Sequence, residues 1–252
     1  MQIDLRNSCV LVTGASRGIG AAIARSMGQA GARVAVHYRT QRAPAEALAA
    51  EIGQGAELFQ ADLSATDECV RLWNTVVARF GRVDTLVNNA GVAVSSPLQS
   101  AAEHWAADWD ATMATNLRAP GILCKLAIAH FSERGGGRII NISSRAAFRG
   151  DQPHYLAYAA SKAGLVALTR SIARGFGKAG IVAFNIAPGF TRTDMAGEFI
   201  EQYGEDYATA DIALSRLTEP KDIAPIVAFL ASGLADHATG CTIDVNAGSY
   251  VH

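Results

Sequence analysis

The sequence predicts an α/β fold, a doubly wound parallel sheet of about seven strands with helices on both faces. Three observations carry that prediction. Short runs rich in Val and Ile alternate with longer Ala- and Leu-rich stretches of helical periodicity. The short runs are continuously apolar, as strands buried on both sides must be. No Pro/Ser-rich linker and no internal repeat interrupts the 252 residues, so the chain reads as one domain over 1–252.

The strands fall in order at Ser8–Thr13, Arg33–His37, Ala56–Ala61, Asp84–Asn88, Arg138–Ser143, Ile181–Ile186 and Thr242–Val245. Between them, spacings such as Leu165, Leu168, Ile172 and Phe176 place apolar side chains on one helical face. The glycines Gly135–Gly137 precede a strand and read as a turn. The segment Thr191–Leu217 is too long for an ordinary connection and is expected to form a substrate lid.

Composition narrows the functional classes. Half the residues are hydrophobic and 18% are charged, as in a globular protein. A net charge of −1 gives no basic excess for nucleic acid or an anionic membrane. Cys9, Cys69, Cys124 and Cys241 lie far apart, in no metal-ligand spacing, and read as reduced thiols of a cytoplasmic protein. The opening M-Q-I-D-L-R-N-S is charged where a signal peptide is apolar. No run approaches the ~18 apolar residues of a membrane span.

Thr13–Gly20 reads T-G-A-S-R-G-I-G, after the first strand and at the start of a helix. Glycines at 14, 18 and 20 let a backbone turn tightly and approach a pyrophosphate, with helix N–H groups facing it. This is the signature of a Rossmann-type dinucleotide site. The turn residues Gly14, Ser16, Arg17, Gly18, Ile19 and Gly20 are its candidates. The second strand ends V-H-Y-R-T, without the carboxylate that would bind the ribose 2′-hydroxyl of NAD. Arg39, with Arg17, suits a 2′-phosphate instead, so NADP(H) is favoured over NAD(H). Asp62 either accepts from the adenine amino group or caps the helix that begins near Ala65.

Tyr158 and Lys162 stand at i and i+4 on one helix face. A lysine ammonium nearby lowers a tyrosine pKa towards the range useful for acid/base work. Ser143 and Ser144 close a strand, where open α/β sheets place ligands, and a hydroxyl there is suited to a developing oxyanion. Asn116 precedes Pro120 by four residues. Proline has no N–H to give the Asn116 carbonyl, so the helix should kink there and leave an acceptor for a water.

Together these residues resemble the classical short-chain dehydrogenase/reductase family over nearly the whole chain. The motifs are T-G-A-S-R-G-I-G, A-D-L at Ala61–Leu63, N-N-A-G at Asn88–Gly91, Asn116, I-S-S at Ile142–Ser144, Y-A-A-S-K at Tyr158 and N-I-A-P-G at Asn185–Gly189. The resemblance implies Tyr158 as acid/base, Ser144 as the carbonyl-binding hydroxyl, Lys162 on the nicotinamide ribose and Asn116 holding a relay water. It implies cofactor contacts at Tyr38, Arg39, Asp62, Leu63, Asn89, Ala90, Gly91, Pro188, Gly189, Thr191 and Thr193. The reaction implied is reversible, metal-free interconversion of a ketone and a secondary alcohol by a homotetramer.

Within the family the likeness is to 3-oxoacyl-[acyl-carrier-protein] reductases. A carrier-protein partner would meet basic residues near the cleft, with Arg134, Arg138, Arg149 and Lys178 as candidates. A sugar, polyol or other alcohol dehydrogenase, and a non-catalytic NADP(H) sensor, are the alternatives. The candidate substrate-facing residues Phe148, Arg149, His154, Tyr155, Met195 and Phe199 select no substrate.

Two departures stand out. The interval from Ser144 to Tyr158 is one residue longer than usual, and a bulge in Gly150–Pro153 is expected to absorb it rather than Ser143 replacing Ser144. Ala247 stands where a glycine is common, with little expected effect on chemistry.

Overall fold

The computed structural model describes residues 3–53, 55–193, 197, 204 and 209–251. Strands β1 (Cys9–Val12), β2 (Arg33–Tyr38), β3 (Glu57–Gln60), β4 (Thr85–Asn88), β5 (Gly137–Ile142), β6 (Ile181–Pro188) and β7 (Thr242–Val245) form one sheet. The order is β3-β2-β1-β4-β5-β6-β7 and every pairing is parallel. The helices are α1 (Gly18–Gln29), α2 (Arg42–Ile52), α3 (Thr66–Phe80), α4 (Ala102–Met113), α5 (Ala119–Glu133), α6 (Ala146–Arg149), α7 (Leu156–Phe176) and α8 (Pro220–Ala231).

Side-chain alternation along each strand builds two cores. Val10, Val12, Val34, Val36, Ile140 and Phe184 face one side and pack with α1, α2 and α8. Cys9, Leu11, Ala35, Leu86 and Ile139 face the other and pack with α3, α5 and α7. This is why the strands read as unbroken apolar runs. The strand order reverses between β1 and β4, so the crevice at their carboxyl ends is the topological switch point. Among the described residues, no helix is long and apolar enough to cross a membrane.

Strand ends differ from expectation by one or two residues. β6 runs on to Pro188, which pairs with Val245 at the rim of the sheet. Gly135 and Gly136 turn at φ +81° and +139°, whereas Gly137 opens β5, where a Cβ would run into the Phe131 ring. The kink at Pro120 is a π-turn at Ala114–Arg118, in which Ala119 N–H donates to Ala114 O. The missing proline N–H makes that wider turn cheap.

Ala247 has φ +53°, the one positive value at a non-glycine position among the described residues. The left-handed region costs an L-residue roughly 1–2 kcal/mol, and glycine's extra chain entropy offsets part of the relief. Ala247→Gly should therefore stabilise the fold by about 0.5–1 kcal/mol, raising Tm by roughly 1–3 °C in a thermal melt.

Candidate active site

The turn after β1 is locked to the turn after β4. Thr13 Oγ1 accepts the N–H groups of Asn89 (2.9 Å) and Ala90 (3.1 Å) and donates to Val87 O. Asn89 Nδ2 donates to the carbonyls of Thr13 (2.9 Å) and Gly14 (3.1 Å). Gly14 sits at φ +63°, and a Cβ on it would stand 2.9 Å from Ala90 Cα. A Cβ on Gly20 would run into Gly14 O. The glycines are thus required by close backbone approach. α1 then opens at Arg17 with no side-chain cap and no acidic residue in its first turn, which suits an anion at the positive end of the helix. Gly91 completes the wall: a Cβ there would lie 3.3 Å from Lys162 Nζ and 3.4 Å from Asn116 Oδ1.

At the carboxyl ends of β2 and β3 lies a depression of about 380 Å³ lined by Arg39, Thr40, Gln60, Ala61, Asp62, Glu68 and Arg71. Arg39 and Arg17 are exposed. Tyr38 and Leu63 place their side chains in the core, at 3% and 5% exposure, so only their main chains are left to face a ligand. Asp62 Oδ1 accepts the N–H (2.9 Å) and hydroxyl (2.8 Å) of Ser64, bonds that hold its carboxyl below the usual range. It braces the approach to α3 and does not cap it, since the cap position is Ala65.

His37 was not singled out from the sequence. It lies on β2 at 2% exposure, and both ring nitrogens are engaged. Nδ1 accepts Gly14 N–H at 2.9 Å, so the proton sits on Nε2, which donates to Ala61 O at 3.1 Å. A histidine inside V-A-V-H-Y was the available signal, because a buried imidazole must find partners.

Burial pushes the ring from 6.5 down to about 4, against the Ala61 carbonyl and the Asp62 carboxylate, which favour its cation. The folded pKa lies below the unfolded one, so the unfolded chain binds more protons between them. The stability from neutral His37 is complete above pH 6.5 and is lost as pH falls to 4. A loss of up to about 3 kcal/mol is expected over that window. Denaturation at graded pH should show this slope in the native protein and not in His37→Asn.

Beyond the end of β5, Tyr158 is half-buried near the start of α7. Ser144 follows β5, its Oγ accepting Ala146 N–H at 3.1 Å, and its hydroxyl lies close enough to Tyr158 to favour the phenolate. Ser143 faces elsewhere, donating to Ile186 O (3.1 Å) and accepting from Asn185 Nδ2 (2.8 Å). Between Ser144 and Tyr158 the chain turns at Gly150, φ +79°, and in a 3₁₀ turn at Pro153–Tyr155.

Lys162 is 4% exposed, and its Nζ donates to Ile142 O at 2.9 Å. Burial pushes its pKa down to about 8. Its expected depression of the Tyr158 pKa is not what this geometry produces. Burial raises the phenol, the nearby Ser144 hydroxyl pulls it back, and the Asp151 carboxylate raises it further. The physical reason is placement: Nζ lies 5.7 Å from the Tyr158 ring centroid and donates to a main-chain oxygen. Asn116 is fully buried, exchanging hydrogen bonds with both Val92 main-chain groups (2.8 Å each) and donating to Ser161 Oγ (3.1 Å). Its side chain is therefore occupied, and its carbonyl has no N–H at i+4 to accept from, because residue 120 is proline.

Pro188 O accepts Arg145 N–H, and Gly189 packs against Asn246. Thr191 Oγ1 donates to Gly189 O (3.0 Å) and Thr193 Oγ1 to Thr191 O (3.3 Å). Thr193 lies over Gly18, bringing the base of the expected lid against the glycine turn. About half of that lid, including Met195 and Phe199, lies outside the described residues. The basic residues expected beside the cleft are not gathered there. Arg134, Arg138 and Lys178 stand at the amino ends of β5 and β6, the opposite edge of a parallel sheet. Arg138 is also paired with Asp236 at 2.7 Å, and Arg149 with Asp211.

A glycine turn at the switch point, with serine, tyrosine and lysine at the neighbouring strand end, defines an NAD(P)-dependent oxidoreductase acting on CH–OH and C=O groups. A family profile described as Enoyl-(Acyl carrier protein) reductase matches residues 14–250. The chain is 39% identical to the 3-oxoacyl-[acyl-carrier-protein] reductase FabG of Staphylococcus epidermidis, covering 97% of this chain and 100% of that one. The FabG of Vibrio cholerae is 34% identical, over 99% and 100%. A dehydrogenase/reductase structure from Sinorhizobium meliloti superposes with TM-score 0.89 at 36% identity, over 99% and 98% of the two chains. A protein from Beutenbergia cavernae, provisionally assigned as an NAD(P) dependent gluconate 5-dehydrogenase with NADP bound at low occupancy, gives 0.90 at 31%, over 99% of each chain. The chain belongs to the short-chain dehydrogenase/reductase family.

Proposed function

We propose that this enzyme uses NADP(H) to interconvert a ketone and a secondary alcohol, with a 3-oxoacyl thioester as the favoured substrate class. The observation that carries the reaction is the grouping of Tyr158 with buried Lys162 one helical turn on and with Ser144 at the end of β5. The open glycine turn at the uncapped start of α1 fits the pyrophosphate, and Arg39 with Arg17 fits the 2′-phosphate. When bound, the nicotinamide supplies or accepts the hydride.

The side chains do the rest. Ser144 hydrogen-bonds the substrate oxygen as charge develops on it. Tyr158 holds the proton that this oxygen gains or loses, at its phenolic hydroxyl. Lys162 positions the nicotinamide ribose, and the Asn116 carbonyl holds a water that links Lys162 to solvent. Asn89 to Gly91, Pro188, Gly189, Thr191 and Thr193 border the cofactor. No metal takes part.

The working unit is one catalytic domain over 1–252, with 191–217 as its substrate lid, in a cytoplasmic homotetramer. The thioester reading rests on the relatives' printed activity. Arg134, Arg138 and Lys178 stand at the far edge of the sheet, which leaves Arg149 as the basic candidate near the cleft for a carrier-protein partner. The gluconate dehydrogenase likeness favours a sugar acid or polyol as the second reading. Steady-state kinetics on acetoacetyl thioesters, small ketones and sugar acids decides between them. The thioester should give the highest kcat/KM. A higher value for a sugar acid would establish the second reading, and dinucleotide binding with no turnover on the panel would mean a sensor.

A further inference from the structure

Residue 37 holds two successive amides of the phosphate-binding turn. Its ring accepts Gly14 N–H at 2.9 Å, and its carbonyl accepts Ala15 N–H at 2.8 Å. Both amides are thereby turned inward, towards β2. What the turn then presents to the crevice is the start of α1. The same ring reaches across to Ala61 O at 3.1 Å, at the end of β3. One buried side chain therefore ties together the carboxyl ends of β1, β2 and β3, and Arg39 and Asp62, which line the depression at the ends of β2 and β3, each lie within two residues of a tied atom.

We infer that His37 is a positioning residue for the dinucleotide, acting through Gly14 N–H to hold the phosphate-binding turn in its binding shape. This rests on the cofactor reading above. Simple burial is an incomplete account, because an apolar residue would fill the same space in V-A-V-H-Y and leave Gly14 N–H without its buried acceptor. The two ring nitrogens also have separate tasks. Nδ1 addresses the turn, whereas Nε2–H addresses β3.

Asparagine and glutamine separate those tasks. Asn Oδ1 stands near the position of Nδ1 and can accept Gly14 N–H, but the side chain is too short to reach Ala61. Gln Nε2 stands near the position of Nε2 and can donate to Ala61 O, but leaves Gly14 N–H without its acceptor. Each loses one hydrogen bond, so their thermal stabilities should fall together. Dinucleotide affinity should not. Direct fluorescence titration with NADPH, repeated with NADH, should show His37→Asn within about threefold of the native Kd and His37→Gln weaker by about tenfold. The kcat at saturating cofactor should be unchanged in both. Equal affinity losses in the two variants, or a fall in kcat with Kd unmoved, would overturn the role of His37 alone. A native protein that binds neither dinucleotide would overturn the cofactor reading and this role with it.

Discussion

Replacing Tyr158 with phenylalanine lowers kcat by roughly 10²–10⁴-fold and leaves NADPH affinity within about twofold. The substitution removes one oxygen and keeps the ring, so the half-buried packing at the start of α7 persists. Lys162 keeps its bond to Ile142 O, because that bond does not pass through the phenol. What disappears is the hydroxyl proposed to hand a proton to the substrate oxygen. The adjacent serines give the companion result. Ser144→Ala should lower kcat by about 10²–10³-fold, the usual size of losing one oxyanion donor. Ser143→Ala should act on stability, by about 1–2 kcal/mol, because its hydroxyl ties Asn185 and Ile186 across the sheet. Steady-state kinetics with urea denaturation on each variant checks both halves. Equal kinetic losses at 143 and 144 would contradict the assignment.

Arg39→Ala should reduce kcat/KM with NADPH by about 10–100-fold and leave that with NADH within about twofold. A guanidinium hydrogen-bonded to a phosphate is a charge-assisted interaction worth roughly 1.5–3 kcal/mol. Arg39 is exposed at the mouth of the depression formed by the ends of β2 and β3, so its loss should disturb little of the fold. Asp62 and Glu68 line the same depression, and Glu68 is paired with Arg71 at 2.5 Å. The proposed preference for NADP(H) thus rests chiefly on Arg39, with Arg17 across the turn. Kinetics with both dinucleotides reads this directly: a parallel loss with NADPH and NADH would assign Arg39 a general role and remove the basis for the preference.

The fold was legible because burial on both faces leaves a simple trace, an apolar run such as Cys9–Val12 or Ile139–Ile142 followed by a helix. The boundaries were less so, since Thr13 and Pro188 are decided by cross-strand partners that no local pattern encodes. Tyr158 and Lys162 were legible through their helical spacing, and the glycines through close backbone approach. The Tyr158 pKa was not, because it depends on burial and on whether Lys162 Nζ points at the phenol oxygen or at Ile142 O. The misplaced carrier surface has the same origin: Arg134 and Lys178 lie near the active-site strands in sequence but at their far ends in space. His37 escaped notice because it sits inside an apolar run, where its only signal is a need for partners supplied by distant residues.

The most direct test of the account is transfer of label. The native enzyme, given NADPH deuterated at the transferable position of nicotinamide C4 and its preferred ketone, should form a secondary alcohol carrying one deuterium on the carbinol carbon, seen by mass spectrometry. Under the same conditions the Tyr158→Phe variant should form almost none. An alcohol product without deuterium, or full label transfer by the Tyr158→Phe variant, would contradict the account.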